Sequence, residues 1–166
     1  MNYIEILEDT LLAFRLPVYQ KTAKRKPTSR PKLYFFDIGV VHALRRSFPR
    51  ELSAELFGKF FEHFIILEVR AYLSYHMRDE TLSFWRSQTG FEADLVVGDS
   101  IAVEIKAAQL VSDRHLKGLR ALREDLRLRR VIVVSMDARR RLSGDGIEIL
   151  PWKDFLAELW GHGILE

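Results

Sequence analysis

The sequence predicts an α/β fold, and three stretches predict it. Residues 92–106 alternate apolar and other side chains on both sides of Gly98-Asp99-Ser100, which is the period of half-buried strands joined by a turn. Ser53 to Met77 carries apolar residues around most of a helical circumference, from Leu56 and Phe57 to Tyr72 and Leu73, the pattern of a buried helix. Val111 to Leu126 reads as an amphipathic helix with Leu116, Leu119, Leu122 and Leu126 inward, and the continuous apolar run Val131 to Val134 follows it. Strand, crossover helix and buried strand in that order predict a parallel, right-handed pair.

The chain has 166 residues, 48% of them apolar and 30% charged, which suits one domain or one domain with an appendage. It has no apolar run near about 18 residues, so no membrane span is expected. Met1 to Glu5 lacks the basic and apolar regions of a signal peptide, and a cytoplasmic location is the expectation. The absence of cysteine excludes disulfides and thiolate metal sites. There is no G-x-x-x-x-G-K-[ST] and no G-x-S-x-G, and the five histidines have no zinc spacing. The net charge of +3 permits nucleic-acid contact without arguing for it.

Ile4, Leu7, Leu11 and Leu12 have helical spacing, which predicts a helix from Tyr3 to Phe14 that Pro17 stops. Val18-Tyr19 and Leu33 to Phe36 read as two strands around Gln20 to Lys32, a loop with six basic residues and no acid. A helix followed by a hairpin with a basic tip is how a winged-helix module ends. Residues 1–50 therefore read as an appendage and 51–166 as the main domain. Lys24, Arg25 and Lys26 are candidates for phosphate contact, against the alternative of a solvated basic loop. Asp37 can cap a helix from Ile38 to Arg46, and Phe48-Pro49-Arg50 is a connector. In the long helix, Glu62 shares a stripe with Gly58, Ile65, Ile66, Val69 and Leu73. A carboxylate there must be paired, bind a cation or become neutral. Glu68 sits similarly among Phe61, Phe64, Ile65 and Tyr72. Leu82 to Arg86 opens a three-strand meander, and Arg86 at its end could reach a phosphate, against the alternative of a solvated strand-end arginine. Ile147 to Leu150 is a last strand, and Pro151 opens a helix from Trp152 to Trp160.

With a three-residue loop in the central hairpin, Val97 faces Ile101, Leu95 faces Val103 and Ala93 faces Ile105. The same register sets Asp94 opposite Glu104 and Glu92 opposite Lys106. Opposed residues have Cβ atoms about 4.5–5.5 Å apart, and like charges there destabilise. Glu92 with Lys106 is an ordinary pair. Asp94 with Glu104 is not, unless a cation lies between them or one is protonated. A hard divalent ion such as Mg²⁺ takes one or two carboxylates plus waters and phosphate oxygens. Lys106 shares the face of Glu104 and could orient a water or stabilise a phosphate. The plain alternative is a solvated polar face whose carboxylates splay apart.

Asp94 followed by Glu104-Ile105-Lys106 on the next strand resembles the Asp…Glu-x-Lys signature of the PD-(D/E)XK nuclease superfamily. Pro31 to Gly39, Phe57 to Glu62, Phe84-Trp85-Arg86, Glu92 to Leu95 and Val103 to Lys106 together resemble a narrower group over nearly the whole chain. That group is the C-terminal domain of unknown function that follows the AAA+ ATPase module in many bacterial and archaeal proteins. The resemblance implies a restriction-endonuclease-like core, namely helix, three-strand meander, crossover helix and further strand, with a winged-helix-like N-terminal tail. It implies that the first core helix supplies one acid, with Glu62 the best match and Glu68 the reserve. Glu62, Asp94 and Glu104 would then hold Mg²⁺ or Mn²⁺, Lys106 would orient the attacking water, and Gln109 would help position the substrate. The expected function is metal-dependent hydrolysis of nucleic-acid phosphodiester bonds, on DNA bound weakly and without sequence preference, beside an AAA+ ATPase. The alternative is a catalytically inactive nuclease-fold interaction domain serving an ATPase. Binding of Mg²⁺ or Mn²⁺ discriminates the two, since only the first needs it.

Overall fold

A computed structural model describes residues 3–28, 30–44 and 53–165. The elements are α1 (Tyr3–Asp9), β1 (Ala13–Leu16), β2 (Lys32–Phe35), α2 (Ile38–Leu44), α3 (Ala54–Tyr75), β3 (Leu82–Arg86), β4 (Glu92–Val97) and β5 (Ile101–Lys106). A turn of 3-10 helix (Asp113–Leu116) leads into α4 (Lys117–Arg123), followed by β6 (Arg130–Ser135), β7 (Arg141–Leu142), β8 (Glu148–Pro151) and α5 (Trp152–Trp160). One mixed sheet runs in the order β3-β4-β5-β6-β8-β7, and β1 with β2 forms a separate antiparallel pair. The meander β3-β4-β5 is antiparallel, and β5 lies parallel to β6, as strand-helix-strand order requires.

Helices cover both faces of the sheet. On one, Leu95, Val103, Ile105, Ile132 and Val134 pack with Ile65, Ile66 and Val69 of α3 and Phe155 and Leu159 of α5. On the other, Trp85, Val96, Ala102, Val131 and Val133 pack with Leu119 and Leu122 of α4. With both faces covered, β5 and β6 bury nearly every residue, which is why β6 reads as an unbroken apolar run. No helix among the described residues is long and apolar enough to cross a membrane.

Several elements differ from the sequence expectation. The first helix ends at Asp9, Leu11 takes a left-handed φ of 59°, and the strand Ala13–Leu16 includes Ala13 and Phe14, which were expected to be helical. No residue of α1 is buried, whereas Leu16 is 1% exposed once extended. Burial outweighs local helical spacing here. Val18, expected in the strand, makes only an isolated bridge to Phe84. The basic loop is not a free tip. Tyr19 N–H donates to Phe84 O at 2.7 Å, Phe84 N–H to Pro17 O at 2.9 Å, and Thr28 N–H to Arg86 O at 2.8 Å. Residues 17–28 thus lie along the outer edge of β3 and cover it, as an exposed strand edge demands.

Asp37 Oδ1 accepts the Val40 N–H at 3.1 Å, capping α2 as expected. The helix end at Arg46, the connector Phe48-Pro49-Arg50 and the boundary at residue 50 lie outside the described residues. Ser53 Oγ accepts the Leu56 N–H at 3.2 Å and starts α3. This helix is not buried all round. Phe57 is 39% exposed, and with Phe60, Phe64, Ile38, Met136 and Trp152 it lines an open apolar groove of about 360 Å³. The expected helix from Val111 to Leu126 is shorter, although Leu116, Leu119 and Leu122 are buried as predicted. Gly118 sets its height above the sheet, because a Cβ there would stand 1.7 Å from the Glu92 carbonyl oxygen.

Candidate active site

The site begins with an irregularity in β4. Ser83 pairs with Val96 and Trp85 with Ala93, so Phe84 alone stands opposite Asp94 and Leu95. This is a β-bulge, which re-aims side chains and bends the strand. It turns Ala93 into the core beneath α4 instead of across from Ile105. The hairpin register holds at Leu95–Val103, Val96–Ala102 and Val97–Ile101, and pairing stops there. Beyond it the Asp94 carboxylate stands in for the missing strand partner, its Oδ2 accepting the Ile105 N–H at 2.8 Å. Asp94 is therefore not in a simple face-off with Glu104.

Two lysines bind the acids together. Lys106 Nζ lies 2.6 Å from Glu104 Oε1 and 3.4 Å from Asp94 Oδ2. Lys32 Nζ lies 3.0 Å from Glu62 Oε1, 2.9 Å from Glu92 Oε1 and 3.9 Å from Asp94 Oδ1, and 4.9 Å from the Phe84 ring centroid. Glu62 Oε1 also accepts the Tyr34 hydroxyl at 2.6 Å. The expected Glu92–Lys106 pair is replaced, since Glu92 pairs with Lys32 and lies 3.5 Å from Arg86 Nε. Pairing of β4 with β5 ends at Leu95–Val103, so no ladder holds Glu92 opposite Lys106. Asp94 is thus shared between a Lys32 group and a Lys106 group.

The electrostatics follow from burial. Glu104 is 6% exposed, and its Oε2 is buried without a hydrogen-bond partner. Burial, then the neighbouring Asp94, pushes its carboxyl up to about 8. Burial also raises Asp94, against the pull of Lys106 and Lys32. For Lys106, burial lowers the pKa, but the carboxylates of Asp94 and Glu104 outweigh it and hold the ammonium above its ordinary value. For Lys32, burial is likewise outweighed, here by Glu62, Asp94 and Glu92. Both lysines are cations at neutral pH, and neither is a general base. Burial and Glu62 hold Tyr34 as a neutral phenol that donates to Glu62.

Three cavities among the described residues reach this cluster, one of about 320 Å³ being lined by Lys32, Tyr34, Lys59 and Glu62. A groove of about 880 Å³ is lined by Lys26, Arg30, Lys32, Arg86 and Gln88. A second cavity of about 350 Å³ opens on Glu104 and Lys106, rimmed by Arg114, His115 and Lys117. Of the candidates for nucleic-acid contact, Lys26 and Arg86 line the groove. Arg25 does not, because its guanidinium is spent on Glu124 Oε2 at 2.6 Å and the Ala121 carbonyl at 2.9 Å. The Lys24 N–H donates to Asp125 Oδ1 at 2.6 Å, tying the loop to the end of α4. Gln109 is exposed in the bend after β5. Glu68 accepts the Trp160 indole N–H at 2.9 Å and so belongs to the packing of α5 on α3, away from the cluster.

Asp94 and Glu104 fit a hard divalent cation. They share Lys106 Nζ, they are buried, and Glu104 has an oxygen to spare. Glu62 is held by Lys32 and Tyr34, and among the described residues no three His, Cys, Asp or Glu side chains are grouped to hold a metal. Sequence reasoning did not single out Lys32, Tyr34, Arg30 and Glu92 as site residues. The available signal was the i, i+2 spacing of Lys32 and Tyr34, which puts both on one strand face, directed at Glu62.

Fold and site together define an α/β domain whose bulged meander carries a carboxylate–lysine cluster at the end of a mixed sheet. The chain belongs to the family described as a domain of unknown function, DUF4143, which matches residues 57–155. Residues 1–51 match a second domain of unknown function, DUF8612. The chain is 30% identical over 157 residues to an uncharacterized protein of Mycobacterium bovis and to one of Mycobacterium tuberculosis, covering 90% of this chain and 34% of each relative. It therefore spans about a third of the length of the curated relatives it matches. No solved structure matches it.

Proposed function

We propose that this domain is a metal-dependent phosphodiesterase of nucleic acids, with a restriction-endonuclease-like core, that serves an AAA+ ATPase. The observation that carries the reading is the buried Asp94–Lys106–Glu104 group, with an unpartnered Glu104 Oε2, which opens on a cavity rimmed by Arg114, His115 and Lys117 and is linked through Lys32 to a groove lined by Lys26, Arg30 and Arg86. Asp94 and Glu104 would hold Mg²⁺ or Mn²⁺, which when bound lowers the pKa of a water and neutralises charge on the phosphate. Glu104 would give up its proton on loading, because ligands bind deprotonated. Lys106 would hold a phosphate oxygen or orient the attacking water through Nζ, as a fixed cation. Lys26, Arg30 and Arg86 would position the backbone by charge, without reading bases.

One observation favours the second reading, a catalytically inactive interaction domain beside an ATPase. The acids are already neutralised in part by Lys32 and Lys106 without any metal. Calorimetry with Mn²⁺, paired with a nuclease assay on linear and branched DNA, decides between them. The first reading expects Mn²⁺ binding and cleavage that Glu104→Gln and Lys106→Ala abolish. An absence of Mn²⁺ binding sinks it.

A further inference from the structure

Lys32 occupies an unusual place for a residue of a basic loop. It opens β2 directly after Pro31 and turns inward, half-buried, among three carboxylates. An ammonium has three donors and no acceptor. Two are satisfied by Glu62 Oε1 and Glu92 Oε1, and the group also stands within ion-pair distance of Asp94 Oδ1. A tethered cation at this point neutralises the same negative field that would draw in a divalent ion. It does so without coordinating strictly, because an ammonium tolerates the irregular 2.9–3.9 Å distances seen here. Asp94 is the shared element. Its Oδ1 faces Lys32, while its Oδ2 faces Lys106 and the Ile105 N–H.

We propose that Lys32 is a built-in competitor of the divalent cation, holding Asp94 until the metal displaces it, and so sets the metal affinity of the site. The proposal rests on the reading of Asp94 and Glu104 as metal-holding groups. Lys32 also lines the groove, so a displaced ammonium has open solvent to turn into. Two charges at ion-pair distance interact strongly where water is partly excluded, and removing one of them is felt by any ion that takes its place.

The test is calorimetric titration of Mn²⁺ into the wild-type chain and into Lys32→Gln. Lys32→Gln/Glu92→Gln, which removes one charge of each sign, serves as a second variant in case the first leaves too many carboxylates facing one another to fold. The expected result is a Kd for Mn²⁺ lower by about tenfold or more in Lys32→Gln, and lower by a smaller factor in the charge-balanced double variant. In the wild-type chain, saturating Mg²⁺ should also shift the side-chain NMR resonances of Lys32, a measurement that does not depend on any variant folding. Equal or weaker Mn²⁺ binding in the variants, or unmoved Lys32 resonances in a metal-saturated wild type, overturns the role of Lys32 and leaves the metal site standing. No Mn²⁺ binding in any form overturns both.

Discussion

Glu104 keeps a buried oxygen without a partner, and its carboxyl is shifted up to about 8 from an ordinary value of 4.5. The native chain therefore retains a proton that the unfolded chain releases as pH rises through that window. Stability from this group is complete below about 4.5 and is lost as pH climbs toward 8. Asp94 is shifted in the same direction. His63, lowered chiefly by burial, works oppositely near its ordinary value and must be separated. The difference in melting temperature between wild type and Glu104→Gln does so. The variant should gain on the metal-free wild type as pH rises from about 5 to about 8, and parallel curves would contradict the assignment. Asp94 has a second role, as the acceptor for the Ile105 N–H. Asp94→Ala leaves that donor buried and unsatisfied, at a cost of about 1–3 kcal/mol, whereas Asp94→Asn retains an acceptor oxygen and costs less. Urea denaturation should rank wild type, Asn, Ala in falling order, and an Ala variant as stable as wild type would show the bond to be dispensable.

At the scale of elements, the bulge in β4 and the height of α4 hold the site together. The bulge frees the Asp94 side chain to reach across to β5 while Ala93 stays in the core. Helix α4 approaches β4 so closely that Gly118 meets the Glu92 carbonyl, leaving no room for a Cβ. Both groups are backbone, so neither can rotate away. Gly118→Ala should cost about 1–3 kcal/mol or more by overpacking, read as a lower urea midpoint at an unchanged slope. Because Glu92 pairs with Lys32, the same substitution should also disturb the Lys32 group. An unchanged midpoint would mean that α4 has slack the structure does not show.

Over the whole molecule, the basic loop is bound to the main sheet instead of standing away from it. Leu16, Val18 and Tyr34 share a core with α3 and β5, and residues 17–28 cover the β3 edge. Charges in this region divide by partner, with Lys21 paired to Asp99 in the β4–β5 turn. Arg25 anchors the loop to α4, while Lys26, Arg30 and Arg86 face the groove. DNA binding by this chain should be weak, without sequence preference, and should fade as salt rises. Arg30→Ala and Arg86→Ala should each reduce the slope of log K against log salt by about one. Arg25→Ala should lower thermal stability and leave that slope unchanged. A salt-insensitive preference for one sequence would overturn this picture, because the groove offers charge and no element shaped to enter a base-reading groove.

Apolar periodicity, with Pro151 marking the last helix, determined the meander, the parallel β5–β6 step, the long helix α3 and the final strand and helix. In each, the apolar spacing agrees with what the core then buries, as Leu95, Val103 and the Val131–Val134 run show. The spacing of Asp94, Glu104 and Lys106 likewise brought those three to one sheet end. Ala13 and Phe14 were misread because Leu11 and Leu12 continue a helical pattern that only long-range burial of Leu16 overrides. The exchange of partners, Glu92 to Lys32 and Lys106 to Glu104, was decided by where the β4–β5 pairing ends, which no strand period reveals. Lys32 itself looked like one of six basic loop residues. Its difference from Lys26 and Arg30 lies in which side of the chain faces Glu62, and only the packing of β2 against α3 settles that.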